Sequence, residues 1–162
     1  MNALLASAHT WFFDSCIQGP DGMLIVSLVE GIKGTERQYV DVGDQKLGPY
    51  FPVNVEASSK CIKVAFERAL VWFIYDESFD QSDPMLKRSE GRFLYEVHQS
   101  SFRAFATAAT SIAAVHQGAF FEYLLACEDR VIQVLSAAAP TVALSDASPD
   151  LTTERTSTWS AS

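Results

Sequence analysis

Residues 61–83 read CIKVAFERALVWFIYDESFDQSD, and this stretch decides the fold class. Ile62, Val64 and Phe66 alternate with Lys63 and Ala65, the two-residue period of a strand with one buried face. Glu67-Arg68 interrupts, and Ala69 to Tyr75 is then apolar or aromatic at every position. Branched and aromatic side chains at that density suit a pleated, buried surface. The pattern predicts paired strands, with residues 69–75 as a central strand covered on both faces. Asp76, Glu77, Asp80 and Asp83 follow at once. Unpaired charges are too costly to bury, so these carboxylates mark where the sheet meets water.

Toward the N-terminus, Trp11 to Ile17 and Met23 to Val29 read as two strands of a hairpin around the turn Gly19-Pro20-Asp21-Gly22. Gly31 and Gly34 bracket a break before a third strand, Glu36 to Val42. Residues 45–59 contain Gly48-Pro49-Tyr50-Phe51-Pro52, and the prolines predict an ordered loop rather than a strand.

Toward the C-terminus, residues 76–91 form a charged loop and Arg92 to His98 resumes strand character. The period then changes. Phe102, Phe105, Ala109, Ile112 and His116 recur every three or four residues, which predicts one helix over about 101–117. Ser100 or Ser101 caps it and Gly118 ends it. Phe120 to Cys127 and Arg130 to Leu135 read as strands, although the second also fits a helical stripe. Large apolar residues nearly vanish after Pro140. The organisation is a single globular domain over 1–139 and a flexible Ser/Thr/Ala-rich tail over 140–162. The predicted fold is mainly β, or α+β with more helix. Its core is an antiparallel sandwich or partly open barrel with one packed helix.

Composition narrows the function classes. Hydrophobic residues make up 48% of the chain and charged residues 20%, the balance of a globular protein. A net charge of −8 argues against nucleic acid as a partner, because counterion release needs clustered Lys and Arg. It permits a basic protein partner and speeds encounter with one, although solubility alone explains it more simply. Cys16, Cys61 and Cys127 are odd in number and far apart, which argues against a disulfide framework and for a reducing, cytoplasmic setting. The opening MNALLASAHTWFF has no basic region before its apolar residues, so no signal peptide is expected. The longest uncharged stretch, residues 104–121, is interrupted by Thr107, Thr110, Ser111, His116 and Gln117, so no membrane span is expected.

No arrangement of residues names a reaction. Asp76, Glu77, Asp80 and Asp83 lack the glycine and closing glutamate of a calcium loop, and a solvated loop explains them with fewer assumptions. His9, His98 and His116 are too dispersed for a metal signature, and Cys127 with His98 would form a nucleophile only by folding together. No nucleotide-binding or hydrolase motif occurs, and no cofactor is expected. Tyr50 and Phe51, in a proline-braced loop, join the four carboxylates as the candidate partner-binding residues, since Tyr and its like anchor interfaces.

Three words in the second half of the chain resemble a group of small, uncharacterised bacterial proteins. They are F-x-x-A-L-V-W-x-x-x-D-E-S-F at 66–79, the serine-rich helix start at 100–102, and F-x-Y-L-L-A-C-x-D-x-V-I-x-V-L-S at 121–136, followed by Pro140. The third word usually begins with a His-Tyr pair in that group, where this chain has Glu122-Tyr123. Some proteins of this type look like immunity partners of bacterial toxins. The resemblance implies no site residue. The leading expectation is a non-enzymatic, cytoplasmic binding protein, an acidic immunity- or antitoxin-like chain that occludes a basic partner. An enzyme or small-ligand binder with a pocket of dispersed residues is the alternative, and a homo-oligomer joined through strand edges is the third.

Overall fold

The computed structural model describes residues 3–152 and the backbone of 156–159. The chain is mainly β, with two antiparallel sheets of seven and five strands and a few short helices.

A one-turn helix, α1 (Ala3–Ala6), leads into β1 (Thr10–Gln18), and β1 pairs with β2 (Leu24–Lys33) in the expected hairpin. β5 (Cys61–Phe66) lies on the other side of β2, and β11 (Thr141–Leu144) on the far side of β5. At its last residues β2 also meets β4 (Gln45–Asn54), which carries β3 (Gln38–Val42) and the backbone of β12 (Thr156–Trp159). The second sheet runs β6 (Ala69–Asp76), β10 (Arg130–Ser136), β9 (Phe121–Ala126), β8 (Leu94–Gln99), β7 (Lys87–Arg88).

The two sheets face each other across one apolar core. Alternate positions point into it: Leu24, Val26 and Leu28 of β2, Ile62, Val64 and Phe66 of β5, Tyr123 and Leu125 of β9, Ile132 and Val134 of β10. Each fully buried aliphatic side chain contributes about 1.5–3 kcal/mol, so this layer is the main source of stability. Trp11 is buried here as well, and its indole N–H donates to the Leu5 carbonyl at 2.9 Å. The β9–β10 turn closes one end of the sandwich. Asp129 accepts from the Phe13 amide at 2.8 Å at the bulge in β1, and Thr10 donates to Glu128 at 3.0 Å.

Several expectations need correction. The strands β5 and β6 do not pair with each other; at Glu67-Arg68 the chain crosses from the first sheet to the second. Nor is β6 central. It is an edge strand, and β10 holds the interior place, buried at every position from Val131 to Ser136. Residues 45–54, expected as loop, form β4 despite both prolines. Pro49 falls where the β3–β4 register shifts, beside Gly48 at φ 127°, a backbone that suits glycine. Pro52 joins the ladder through its carbonyl, which accepts from the Gly34 amide at 2.7 Å, so its missing N–H is not needed there.

The helix over 101–117 is two pieces, α2 (Ser101–Ala109) and α3 (Ile112–Val115). Thr110 breaks it by folding its hydroxyl back onto the Ala106 carbonyl at 2.7 Å and leaving the helical backbone region. The tail begins a few residues later than Pro140, because β11 pairs with β5 over Thr141–Leu144; residues 145–152 then carry no helix or strand, and the backbone of β12 lies further on. Residues 153–155 and 160–162 of that segment lie outside the described residues.

Candidate functional site

The outer face of the second sheet, away from the sandwich core, carries Val71, Phe73 and Tyr75 of β6 beside Val131, Gln133 and Leu135 of β10. Helix α2 covers only part of this face. Its Phe102 and Ala106 pack toward Leu135 and Val71, and Phe102 stacks on Phe73 with ring centroids 6.5 Å apart.

What remains open is a groove of about 780 Å³. Val71, Phe73, Tyr75 and Gln133 line its floor, residues 79–84 one wall, and Ser101, Phe102 and Phe105 the other. Three phenylalanines in it are left largely to solvent: Phe73 is 53% exposed, Phe79 77% and Phe105 68%. Clustered exposed aromatics of this kind mark interaction sites more often than chance surface.

The acidic loop is held in place by its own carboxylates. Asp76 caps the one-turn helix Glu77–Phe79, accepting from the Ser78 amide at 3.1 Å and hydroxyl at 2.6 Å, and it pairs with Arg130 at 2.6 Å. Those Ser78 bonds, with Arg130 beside them, hold its carboxyl below the usual aspartate range. Asp80 accepts from the Tyr75 hydroxyl at 2.6 Å. Desolvation, and then that bond, push the phenol well above its ordinary pKa. Asp83 clasps the loop to α2, accepting from the Ser101 amide and hydroxyl, each at 2.7 Å, and from the Met85 amide at 2.9 Å. Desolvation works against its ionised form, yet the bonds from Ser101 and Met85 outweigh it and keep the carboxyl below the usual range.

Beneath α2 lies a buried carboxylate. Glu122 on β9 is 0% exposed, and the Ser100 hydroxyl sits 2.7 and 2.8 Å from its two oxygens. Arg103 reaches it from the helix at 3.3 Å. Ser100 also accepts from the Arg103 amide, so it caps α2 and anchors it to the sheet at once. Desolvation pushes the pKa of Glu122 above the usual glutamate range in spite of these contacts.

The structure thus brings together some of the expected site residues and separates others. Asp80 and Asp83 line the groove, while Asp76 and Glu77, at the cap and first turn of the short helix before it in the chain, do not. Glu77 and Asp80 also border a smaller polar cleft of about 370 Å³, where Arg92 supplies a cation. Tyr50 and Phe51 lie elsewhere, on β4 of the first sheet, and Phe51 is covered by Lys33 at 4.6 Å and Arg37 at 5.1 Å. Cys127 faces the sandwich core and His98 is exposed, so they make no nucleophile pair.

Nothing in the sequence pattern marks Phe73, Phe79 or Gln133 as site residues. The helical stripe did point to Phe102 and Phe105, but as core. Glu122 carried a clearer signal, a lone carboxylate inside the apolar word FEYLLA. No group of three metal-ligating side chains occurs among the described residues. No described helix is long and apolar enough to cross a membrane. No family model, curated protein or solved structure matches this chain.

Chemically, the groove offers aromatic faces and two carboxylates, and no Lys or Arg lines it among the described residues. Such a site suits an apolar group that carries positive charge, because ring faces and carboxylates both attract cations.

Proposed function

We propose that this protein is a non-enzymatic binding protein whose aromatic, acid-rimmed groove captures an apolar, positively charged segment of a protein partner. It occludes that partner as an immunity or antitoxin protein does. One observation carries the reading: exposed phenylalanines gathered in a groove with Asp80 and Asp83, where no Lys or Arg stands among the described lining residues. The net charge of −8 supports it by steering a basic partner toward the surface. Free cysteines suit a cytoplasmic setting, and three words of the second half resemble small, uncharacterised bacterial proteins, some of which look like toxin-immunity partners.

The test is to purify the tagged protein from its native host, identify the retained protein by mass spectrometry, and measure binding of that protein to two variants. Asp80→Asn keeps an acceptor for Tyr75 but removes the charge; association should slow several-fold at low salt and recover in strength relative to wild type at high salt. Phe105→Ala should speed dissociation. A partner whose rates respond to neither change refutes the reading. The groove's volume also suits a small organic cation. That second reading gains only if such a ligand, and no protein, is retained and is lost in Phe105→Ala.

A further inference from the structure

We infer that the partner's segment binds as an extended strand, adding antiparallel to the free edge of β6. This rests on the protein-binding reading above and specifies its geometry. β6 pairs with β10 on one side only, and residues 70–75 make no backbone hydrogen bond to any other element among the described residues.

The two edges of the second sheet are treated in opposite ways. β7 is two residues long, is broken in register, and exposes Lys87 and Arg88. That is how an edge is blunted against pairing with another chain. β6 spans eight residues, and Ala69 to Tyr75 contains no charge, glycine or proline. An unprotected edge of this length and apolarity attracts another strand.

The charge pattern decides what that strand belongs to. Carboxylates stand at the C-terminal end of β6, beginning with Asp76 and Glu77, and the groove beside it adds Asp80 and Asp83. A second copy of this chain also carries a net charge of −8 and is repelled overall. A basic segment is attracted there. Because every strand pairing among the described residues is antiparallel, the incoming strand runs with its N-terminal end toward these carboxylates. Its lysines or arginines therefore precede its apolar run. Alternate side chains then fall beside Phe73 on the outer face and fill the groove toward Phe105.

The probe is an acetylated, amidated peptide with lysines at its N-terminal end followed by alternating valine and threonine. Its twin is N-methylated at the residues facing β6. Titrated into the full-length, isotope-labelled protein, the parent peptide should slow hydrogen exchange of β6 amides that do not bond to β10, and N-methylation should weaken binding about tenfold or more. Equal affinity of the two peptides overturns strand addition; if Asp80→Asn still weakens both, the groove reading survives alone. Loss on N-methylation with no response to Asp80→Asn or Phe105→Ala supports strand addition and sinks the groove reading. No binding of either peptide at millimolar concentration overturns the inference. So does a doubled mass in light scattering that protects the same amides and that the peptide cannot displace, because the edge then belongs to a second copy.

Discussion

Replacing Glu122 by glutamine removes a buried charge and its ion pair with Arg103, yet it should leave the protein nearly as stable at neutral pH. At 3.3 Å the attraction is about 5 kcal/mol for an effective dielectric of 20, while desolvating each ion costs several kcal/mol. The balance is visible in the carboxyl itself: desolvation raises its pKa even though Ser100 and Arg103 favour the charge. The folded state therefore holds the ionised form less well than the unfolded chain does. Glutamine mimics the protonated form. The remaining partner is not stranded either, because the Arg103 side chain is 30% exposed and can be hydrated. Glu122→Gln should thus lie within about 1 kcal/mol of wild type at neutral pH, on either side. Glu122→Ala should cost about 2–4 kcal/mol, since it opens a cavity and leaves the Ser100 hydroxyl without its acceptor.

The pH dependence follows with a definite sign. An acid whose folded pKa is raised binds more protons folded than unfolded, so its contribution falls as pH rises from the ordinary glutamate range to the raised value. The difference between Glu122→Gln and wild type should therefore shift in the variant's favour across that window and level off above it. Guanidinium unfolding followed by tryptophan fluorescence at a series of pH values measures this directly. A loss above about 2 kcal/mol at neutral pH, or a difference that does not move with pH, would refute the reasoning.

Other perturbations test other parts of the structure. A Cβ at Gly31 would sit 2.6–2.7 Å from side-chain atoms of Thr10, Phe12 and Val53, so Gly31→Ala should destabilise by about 1–3 kcal/mol in denaturant unfolding. Phe105→Ala should change stability by less than about 0.5 kcal/mol while lowering the fluorescence of an added apolar dye, because the ring is exposed. The Asp83 clasp should loosen as pH falls through its lowered pKa, seen as faster exchange of the Ser101 amide, and Asp83→Ala should show that faster exchange at every pH. Burial pushes the Cys127 thiol far up, so alkylation of Cys127 should require denaturant.

Strand and helix type were largely legible in the sequence, and neighbour relations were not. The hairpin β1–β2, the cap at Ser100 and the strands β8 and β9 follow from period and turn chemistry, whereas β10 fits a helical stripe equally well and only its pairing with β6 and β9 decides it. Apolarity alone points to the wrong strand, because β6 is apolar from Ala69 to Tyr75 while β10, which holds the interior place, carries Arg130, Gln133 and Ser136. A strand covered by a second sheet and a helix reads the same as one whose outer face lines a groove. The prolines of β4 misled because the argument against strand assumes that every N–H is needed, and at Pro52 only the carbonyl is used. Phe102 and Phe105 share a helical stripe, but the buried line of α2 runs through Phe102 and Ala106, which leaves Phe105 on its flank and exposed.

The crossing at Glu67-Arg68 sets an order of events during folding. β1 and β2 are adjacent in sequence, as are β9 and β10, so these hairpins can close early at little entropic cost. β6 has no such neighbour. Its only strand partner among the described residues, β10, follows more than fifty residues later, with Asp76 meeting Arg130 across that span. Until then Ala69 to Tyr75 is an unpaired, uncharged strand in a growing or refolding chain, the segment most open to misassociation. Slow folding with losses to aggregation, relieved by a charge at Phe73, is the kinetic signature this topology leaves.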